Sequence, residues 1–223
     1  MSRAETYGEL WDGRVKRHGA LREAISTTSK ESLTRQFRLW LKLTGNPKGK
    51  TILDAGCGYG RLMKKFSMYT EKVAGIDISG EMLKEAKKYL SDSSRLHKGS
   101  VANLAFKDQS FDIVICDRVL MHLTKLDMKT GLLEFKRVLK PGGIILFSVP
   151  HGLSWCYSVR SFIFSVYTIL LKASGRLKII HPRRFSEAKL RKILEEIGLT
   201  NYKISSMRSN LGIMLLVRAV ISD

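Results

Sequence analysis

The sequence predicts an α/β fold: a doubly wound, mostly parallel seven-stranded sheet with helices on both faces and a C-terminal antiparallel hairpin. Short apolar runs alternate with helical stretches from residue 51 to residue 149. The first of these runs leads directly into a loop with glycines at 56, 58 and 60. Two β-rich runs, at 200–207 and 212–221, end the pattern as a hairpin. A length of 223 residues suits one domain of this kind.

Each element has its own signal in the sequence. Residues 1–48 are predicted to form helices that either pack on the edge of the sheet or form an N-terminal helical cap, in which Tyr7 and Trp11 are the candidates to cover a pocket. The domain itself spans 49–223. Its parallel strands are expected at 51–54, 73–77, 95–99, 112–117 and 144–149, with helices at 80–90, 128–139 and 186–198.

A helical insertion is predicted at about 152–182, with an amphipathic helix over 153–171. A transmembrane span is rejected, because Arg160 would lie inside it at a cost of about 2.5–3.5 kcal/mol. Three interpretations remain open: a lid over the acceptor site, an interfacial helix, or part of the core.

Composition limits the environment and the partners. Thirty-nine lysines and arginines against twenty acids give a formal charge of +19, which attracts RNA, anionic lipid or acidic proteins. The three cysteines lack the spacing of a disulfide framework or a metal site. The first residues lack the apolar run of a signal peptide. We therefore expect a cytoplasmic protein, with peripheral contact to an anionic membrane surface as an option.

The glycine loop and two acids describe the ligand. Asp54 lies two residues before Gly56, where it would repel a pyrophosphate and attract an ammonium group. Asp77 ends the second strand, where an acid can accept hydrogen bonds from ribose hydroxyls. Together they predict a nucleoside that carries an amino acid. The G-x-G-x-G spacing differs from the G-x-G-x-x-G of dinucleotide sites, which argues against a dehydrogenase.

Four motifs in order, Asp54–Gly60, Gly75–Ser79, Phe111–Cys116 and Leu139–Gly143, resemble those of class I S-adenosylmethionine-dependent methyltransferases, of the ubiquinone and menaquinone biosynthesis type. The resemblance covers about residues 50–150 and implies S-adenosylmethionine as cofactor and S-adenosylhomocysteine as product. The implied cofactor residues are Asp54, Gly56, Cys57, Gly58, Tyr59, Asp77, Ile78, Ser100, Val101 and Cys116. Ser100 stands where relatives usually carry an acid that accepts from the adenine amine.

Three residues near strand ends are candidates for a general base: His122, His151 and Asp117. Methyl transfer from a sulfonium depends mainly on orientation, so few catalytic side chains are expected.

The leading function is therefore methyl transfer to a small or lipid-like acceptor. An RNA methyltransferase, favoured by the charge, and a non-catalytic cofactor-binding scaffold are the alternatives. The oligomeric state is left open.

Overall fold

The structure, a computed structural model, describes residues 3–18, 30–90, 95–152, 183–209 and 212–221. The helices in these ranges are α1 (Arg3–His18), α2 (Lys30–Thr44), α3 (Arg61–Phe66), α4 (Gly80–Tyr89), α5 (Lys125–Val138) and α6 (Glu187–Glu196). The strands are β1 (Ile52–Ala55), β2 (Val73–Asp77), β3 (Leu96–Lys98), β4 (Phe111–Asp117), β5 (Leu139–Pro150), β6 (Tyr202–Ser209) and β7 (Gly212–Val220).

The strands form one seven-stranded sheet in the order β3-β2-β1-β4-β5-β7-β6. The first five strands are parallel, whereas β7 pairs antiparallel with both β5 and β6. This confirms the predicted fold class, including the C-terminal hairpin. The order reverses between β1 and β4, which is where ligands bind in such sheets.

Apolar side chains of the sheet pack against helices on both faces. Ile52, Ile113 and Leu146 face α2, α3 and α4, and Trp40 of α2 is fully buried there. On the other face, Leu53, Val114, Phe147 and their neighbours pack against α5 and α6. Central strands buried on both faces explain the continuous apolar runs that predicted a parallel sheet.

Two predicted boundaries shift for local reasons. Helix α5 begins at Lys125, three residues earlier than expected, because Thr124 caps it by accepting the Asp127 N–H at 3.1 Å. Strand β5 begins at Leu139, which pairs with Phe111 before the register shifts.

The predicted insertion at 152–182 lies almost wholly outside the described residues, as does its amphipathic helix at 153–171. Within the described ranges, no helix combines the length and hydropathy that crossing a bilayer requires.

Candidate functional site

The glycine loop follows β1 at the carboxyl edge of the sheet. Gly56 has a φ of 82° and Gly58 a φ of 54°, conformations that glycine adopts without the strain other residues meet. A Cβ added to Gly56 would lie 2.2 Å from a methyl carbon of Val119. The N–H groups of Gly56 and Cys57 both donate to the Ile76 carbonyl, at 2.7 and 3.0 Å. The loop is thus fixed to the neighbouring strand in a shape that requires glycine.

Asp77 lies at the end of β2, directly under this loop. One carboxylate oxygen accepts the Gly58 N–H at 2.8 Å, and the other accepts the Ser79 N–H at 2.9 Å. Burial raises the pKa of Asp77, and these two hydrogen bonds oppose the increase. Because each carboxylate oxygen can accept more than one hydrogen bond, Asp77 still has capacity for ligand hydroxyls.

Asp54 is buried, with 3% of its surface exposed, and its Oδ2 atom has no hydrogen-bond partner among the described residues. Burial is the main cause that raises the pKa of Asp54 to about 7, and the charge of Asp117 adds to it. The guanidinium of Arg61 acts in the opposite direction. A buried carboxylate with an unpaired oxygen is costly unless a donor or cation meets it.

Asp117 lies at the centre of a buried polar cluster. Its carboxylate forms an ion pair with Arg61 at 3.0 Å and accepts from the Gln36 amide and the Ser148 hydroxyl, at 3.0 and 2.6 Å. The Arg118 guanidinium lies 3.4 Å from the same carboxylate. This arrangement favours a positioning role for Asp117 over proton abstraction, because its lone pairs are already engaged.

Gln36, Arg61 and Ser148 are site residues that the sequence motifs do not predict. A weak signal was present for two of them, since Ser148 interrupts an apolar strand and Gln36 stands beside the apolar stripe of α2. Gln36 lies 81 residues from Asp117 in the chain, so only the packing of α2 on the sheet brings them together.

His122 ends a single turn of 3-10 helix after β4. Its ring meets the Trp11 ring edge to face at 5.0 Å. Burial, with the charges of Arg14 and Arg118, lowers the pKa of His122 to about 4, so the imidazole is neutral at pH 7. A neutral imidazole can accept a proton, but a pKa this low makes His122 a weak base at neutral pH. Nδ1 is buried without a hydrogen-bond partner in the described structure.

The other predicted site residues have mixed surroundings. His151 follows β5, and its main-chain N–H donates to the Ile213 carbonyl of β7 at 2.9 Å. His151 also forms an isolated β-bridge with Phe185. Strand β7 lies on the opposite side of β5 from β4 and β1, and the glycine loop follows β1. The Ser100 hydroxyl accepts the Ala102 N–H at 3.2 Å.

Tyr59, Val101, Cys57 and Cys116 are all buried, and Ile78 is half-buried. Burial raises the pKa of both thiols well above the usual range, so neither is a nucleophile at neutral pH.

Helix α1 is attached to two loops at this edge of the sheet. The Tyr7 hydroxyl accepts the Thr124 N–H at 3.1 Å and donates to Asp127 at 3.4 Å. Asp12 accepts from the Ser79 hydroxyl at 2.5 Å and from the Glu81 N–H at 3.1 Å. These loops follow β4 and β2, so α1 lies next to the candidate site. That residues 1–48 act as a cap stays a prediction.

The charges present fit a ligand with a net positive charge. Asp54, Asp77 and Asp117 supply three carboxylates, against the guanidinium groups of Arg61 and Arg118. S-adenosylmethionine carries a sulfonium and an ammonium group against one carboxylate. The unpaired oxygen of Asp54 suits the ammonium group, and Asp77 suits the ribose hydroxyls.

Comparisons with known proteins agree with this geometry. Residues 53–147 match the family model described as "Methyltransferase domain". The chain is 30% identical over 173 residues to a ubiquinone biosynthesis O-methyltransferase of Nitrosospira multiformis, covering 73% of this chain and 67% of the relative. It is 38% identical over 112 residues to a malonyl-[acyl-carrier protein] O-methyltransferase of Hamiltonella defensa. This match covers 50% of this chain and 42% of the relative.

Among solved structures, magnesium protoporphyrin IX methyltransferase from Synechocystis PCC 6803 with bound SAM has a TM-score of 0.68. The identity is 18%, and the match covers 100% of this chain and 98% of the other, so the likeness concerns the fold. The chain spans only 38–50% of the length of several other curated relatives that it matches. With the shared domain model and the relative matched over two thirds of its length, the chain belongs to the class I S-adenosylmethionine-dependent methyltransferases.

Proposed function

We propose that this protein transfers the methyl group of S-adenosylmethionine to a small or lipid-like acceptor. The observation that carries the proposal is the buried, unpaired oxygen of Asp54 beside Asp77 at adjacent strand ends. The names of relatives support a small acceptor, since they include ubiquinone biosynthesis and magnesium protoporphyrin IX methyltransferases. The lipid-like class rests on the apolar segment at 153–171 in the sequence.

The chain's own groups would bind and orient the reactants. Asp54 would hold the ammonium group and Asp77 the ribose, and the glycine loop would line the methionine portion of the cofactor. The N–H groups of Gly56, Cys57 and Gly58 already donate to Ile76 and Asp77, so they shape the loop and do not bind the methionine carboxylate. When bound, S-adenosylmethionine supplies an activated methyl group and its own leaving group. Alignment of the acceptor with that methyl group would supply most of the acceleration. Of the three candidate bases, His122 is neutral at pH 7, but a pKa of about 4 makes it a weak proton acceptor, so alignment is expected to contribute more than proton removal.

Transfer of labelled methyl groups tests the proposal. The protein is incubated with methyl-tritiated S-adenosylmethionine and separate panels of phenolic and carboxylic small molecules, quinols, a lipid extract and total RNA. We expect label in a small molecule or lipid. Label in RNA alone would support the RNA methyltransferase interpretation, which is motivated by the formal charge of +19. Tight binding of S-adenosylhomocysteine without any transfer would support a scaffold.

Cofactor binding should release a proton from Asp54. In the free protein its pKa is about 7, so the side chain is partly protonated at neutral pH. A bound ammonium group favours the ionised form and lowers that pKa. Affinity for S-adenosylhomocysteine should therefore fall as pH decreases below 7, approaching tenfold per pH unit. Calorimetry in two buffers of different ionisation enthalpy would measure the released proton.

The matched control for this effect is Asp54→Asn, which cannot ionise. It should bind more weakly, and its affinity should change little with pH over the same range. If the substituted protein keeps the wild-type slope, another group releases the proton, and the assignment of Asp54 to the ammonium group fails.

A further inference from the structure

We propose that a patch centred on α3 docks onto an anionic phospholipid bilayer. The patch consists of Lys64, Lys65, Met68, Tyr69 and Tyr89, and we call it the α3 patch. It does not contain any residue assigned above to the cofactor or acceptor. The proposal is thus independent of the reaction.

Charge distinguishes the two helical faces of the sheet. Apart from buried Arg61, the described side chains of α2, α3 and α4 include eight basic residues and two acidic ones. The basic residues are Arg35, Arg38, Lys42, Lys64, Lys65, Lys84, Lys87 and Lys88. Helices α5 and α6, on the opposite face, carry seven basic residues and five acidic ones. The face that contains the α3 patch is therefore much the more positive, and an anionic surface is its natural partner.

Exposed apolar surface coincides with this charge. Five large hydrophobic side chains are exposed in the described part of the chain, and three of them belong to the α3 patch. They are Met68, at 70% exposed, Tyr69 at 38% and Tyr89 at 40%. Apolar and aromatic side chains among lysines suit a membrane interface, where the rings lie at headgroup level and the ammonium groups meet phosphates.

Contacts join four of these side chains into two groups, one around Lys64 and one around Lys65, which are neighbours on α3. The Lys64 ammonium lies 4.1 Å from the centre of the Tyr89 ring. The Lys65 ammonium lies 4.9 Å from the centre of the Phe37 ring, whose own centre is 6.3 Å from that of Tyr69. The two lysines thus sit between two aromatic groups, on either side of α3.

The same contacts favour lipid over RNA. Bases stack on open aromatic faces. Lysine ammonium groups already lie over the rings of Tyr89 and Phe37, and Phe37 is buried. Exposed Met68 adds apolar surface that a bilayer can bury and that a nucleic-acid backbone has no group to match.

Sedimentation with vesicles tests the proposal on the full chain. Vesicles of phosphatidylcholine alone are compared with vesicles that contain 30% phosphatidylglycerol, in 0.1 M and 0.5 M salt. We expect binding to the anionic vesicles at low salt and a large loss at high salt. The double variant Lys64→Glu with Lys65→Glu should lower the partition coefficient at least tenfold, and Met68→Ser should lower it severalfold.

Matched controls lie on the opposite face. Lys189→Glu with Lys192→Glu makes the same change in net charge on α6, and Leu126→Ser removes a side chain that is 64% exposed on α5. Both controls should retain vesicle binding, and all variants should keep wild-type affinity for S-adenosylhomocysteine, which shows that they are folded.

Three outcomes would overturn the proposal. The first is equal loss in the two double variants, which would mean that only net charge matters. The second is the absence of binding to anionic vesicles by the wild type. The third is loss of binding to a labelled single-stranded RNA 20-mer, with vesicle binding unchanged, in the Lys64→Glu, Lys65→Glu variant.

Discussion

Replacing Asp77 with asparagine should weaken S-adenosylhomocysteine binding by tenfold or more, about 1.4 kcal/mol. The Gly58 and Ser79 N–H groups each donate to a separate oxygen of Asp77. Asparagine offers only one acceptor oxygen, so one N–H would face an amide that donates as well. The substitution therefore disturbs the glycine loop and also removes an acceptor for the ribose hydroxyls. Calorimetric titration of the folded variant, below its melting temperature, measures the loss.

Asp112→Asn provides a matched control for this experiment. Asp112 also accepts a main-chain N–H, from Thr51 at 2.7 Å, but it lies at the amino end of β4, away from the glycine loop. Its substitution should lower stability slightly and leave the dissociation constant unchanged. An unchanged dissociation constant for Asp77→Asn would mean that Asp77 only supports the loop and that the ribose is held elsewhere.

The parts of the site that follow from local pattern were predictable from sequence. Asp54 and Asp77 stand at the ends of apolar runs, and parallel strands bring such ends to one edge of the sheet. The glycine loop is equally local, because it is set by the positive φ angles at Gly56 and Gly58. The alternation of elements was sufficient for the fold class, and in the part of the chain that the structure describes its errors lie at boundaries such as the start of β5.

The polar cluster under the site could not be predicted in this way. Arg61 follows the glycine loop, where a sequence pattern indicates only the first residue of a helix. Its partner Asp117 is 56 residues away, and Ser148 lies a further 31 residues along the chain. Their meeting depends on the packing of α3 against β4 and on the register of β4 with β5, in which Asp117 pairs with Ser148. Long-range contacts of this kind are set by tertiary structure, not by spacing.

Replacing Arg61 with methionine should destabilise the protein by up to about 3–5 kcal/mol, because the buried carboxylate of Asp117 loses its closer guanidinium partner and keeps only Arg118 at 3.4 Å. Arg61 is 9% exposed, and the side chain of Asp117 is 4% exposed, so water cannot compensate. Urea unfolding without cofactor measures this change. Lys88→Met is the control: it removes an exposed ion pair with Glu85 and should cost less than about 1 kcal/mol.

A second substitution identifies the cause of that loss. In the double variant Arg61→Met with Asp117→Asn, the partly uncompensated charge of Asp117 is gone, so a large part of the lost stability should return. A double variant that is no more stable than Arg61→Met would mean that Arg61 acts through packing alone.

The same cluster connects stability with cofactor binding. Arg61 lowers the pKa of Asp54, whereas Asp117 raises it. S-adenosylhomocysteine affinity falls below a pH of about 7 in the wild type. Removing Arg61 alone should therefore shift this pH to a higher value. Asp117→Asn in an otherwise wild-type chain should move it downward. Shifts in opposite directions would show that the buried cluster sets the charge of Asp54, because packing defects alone would weaken binding at every pH.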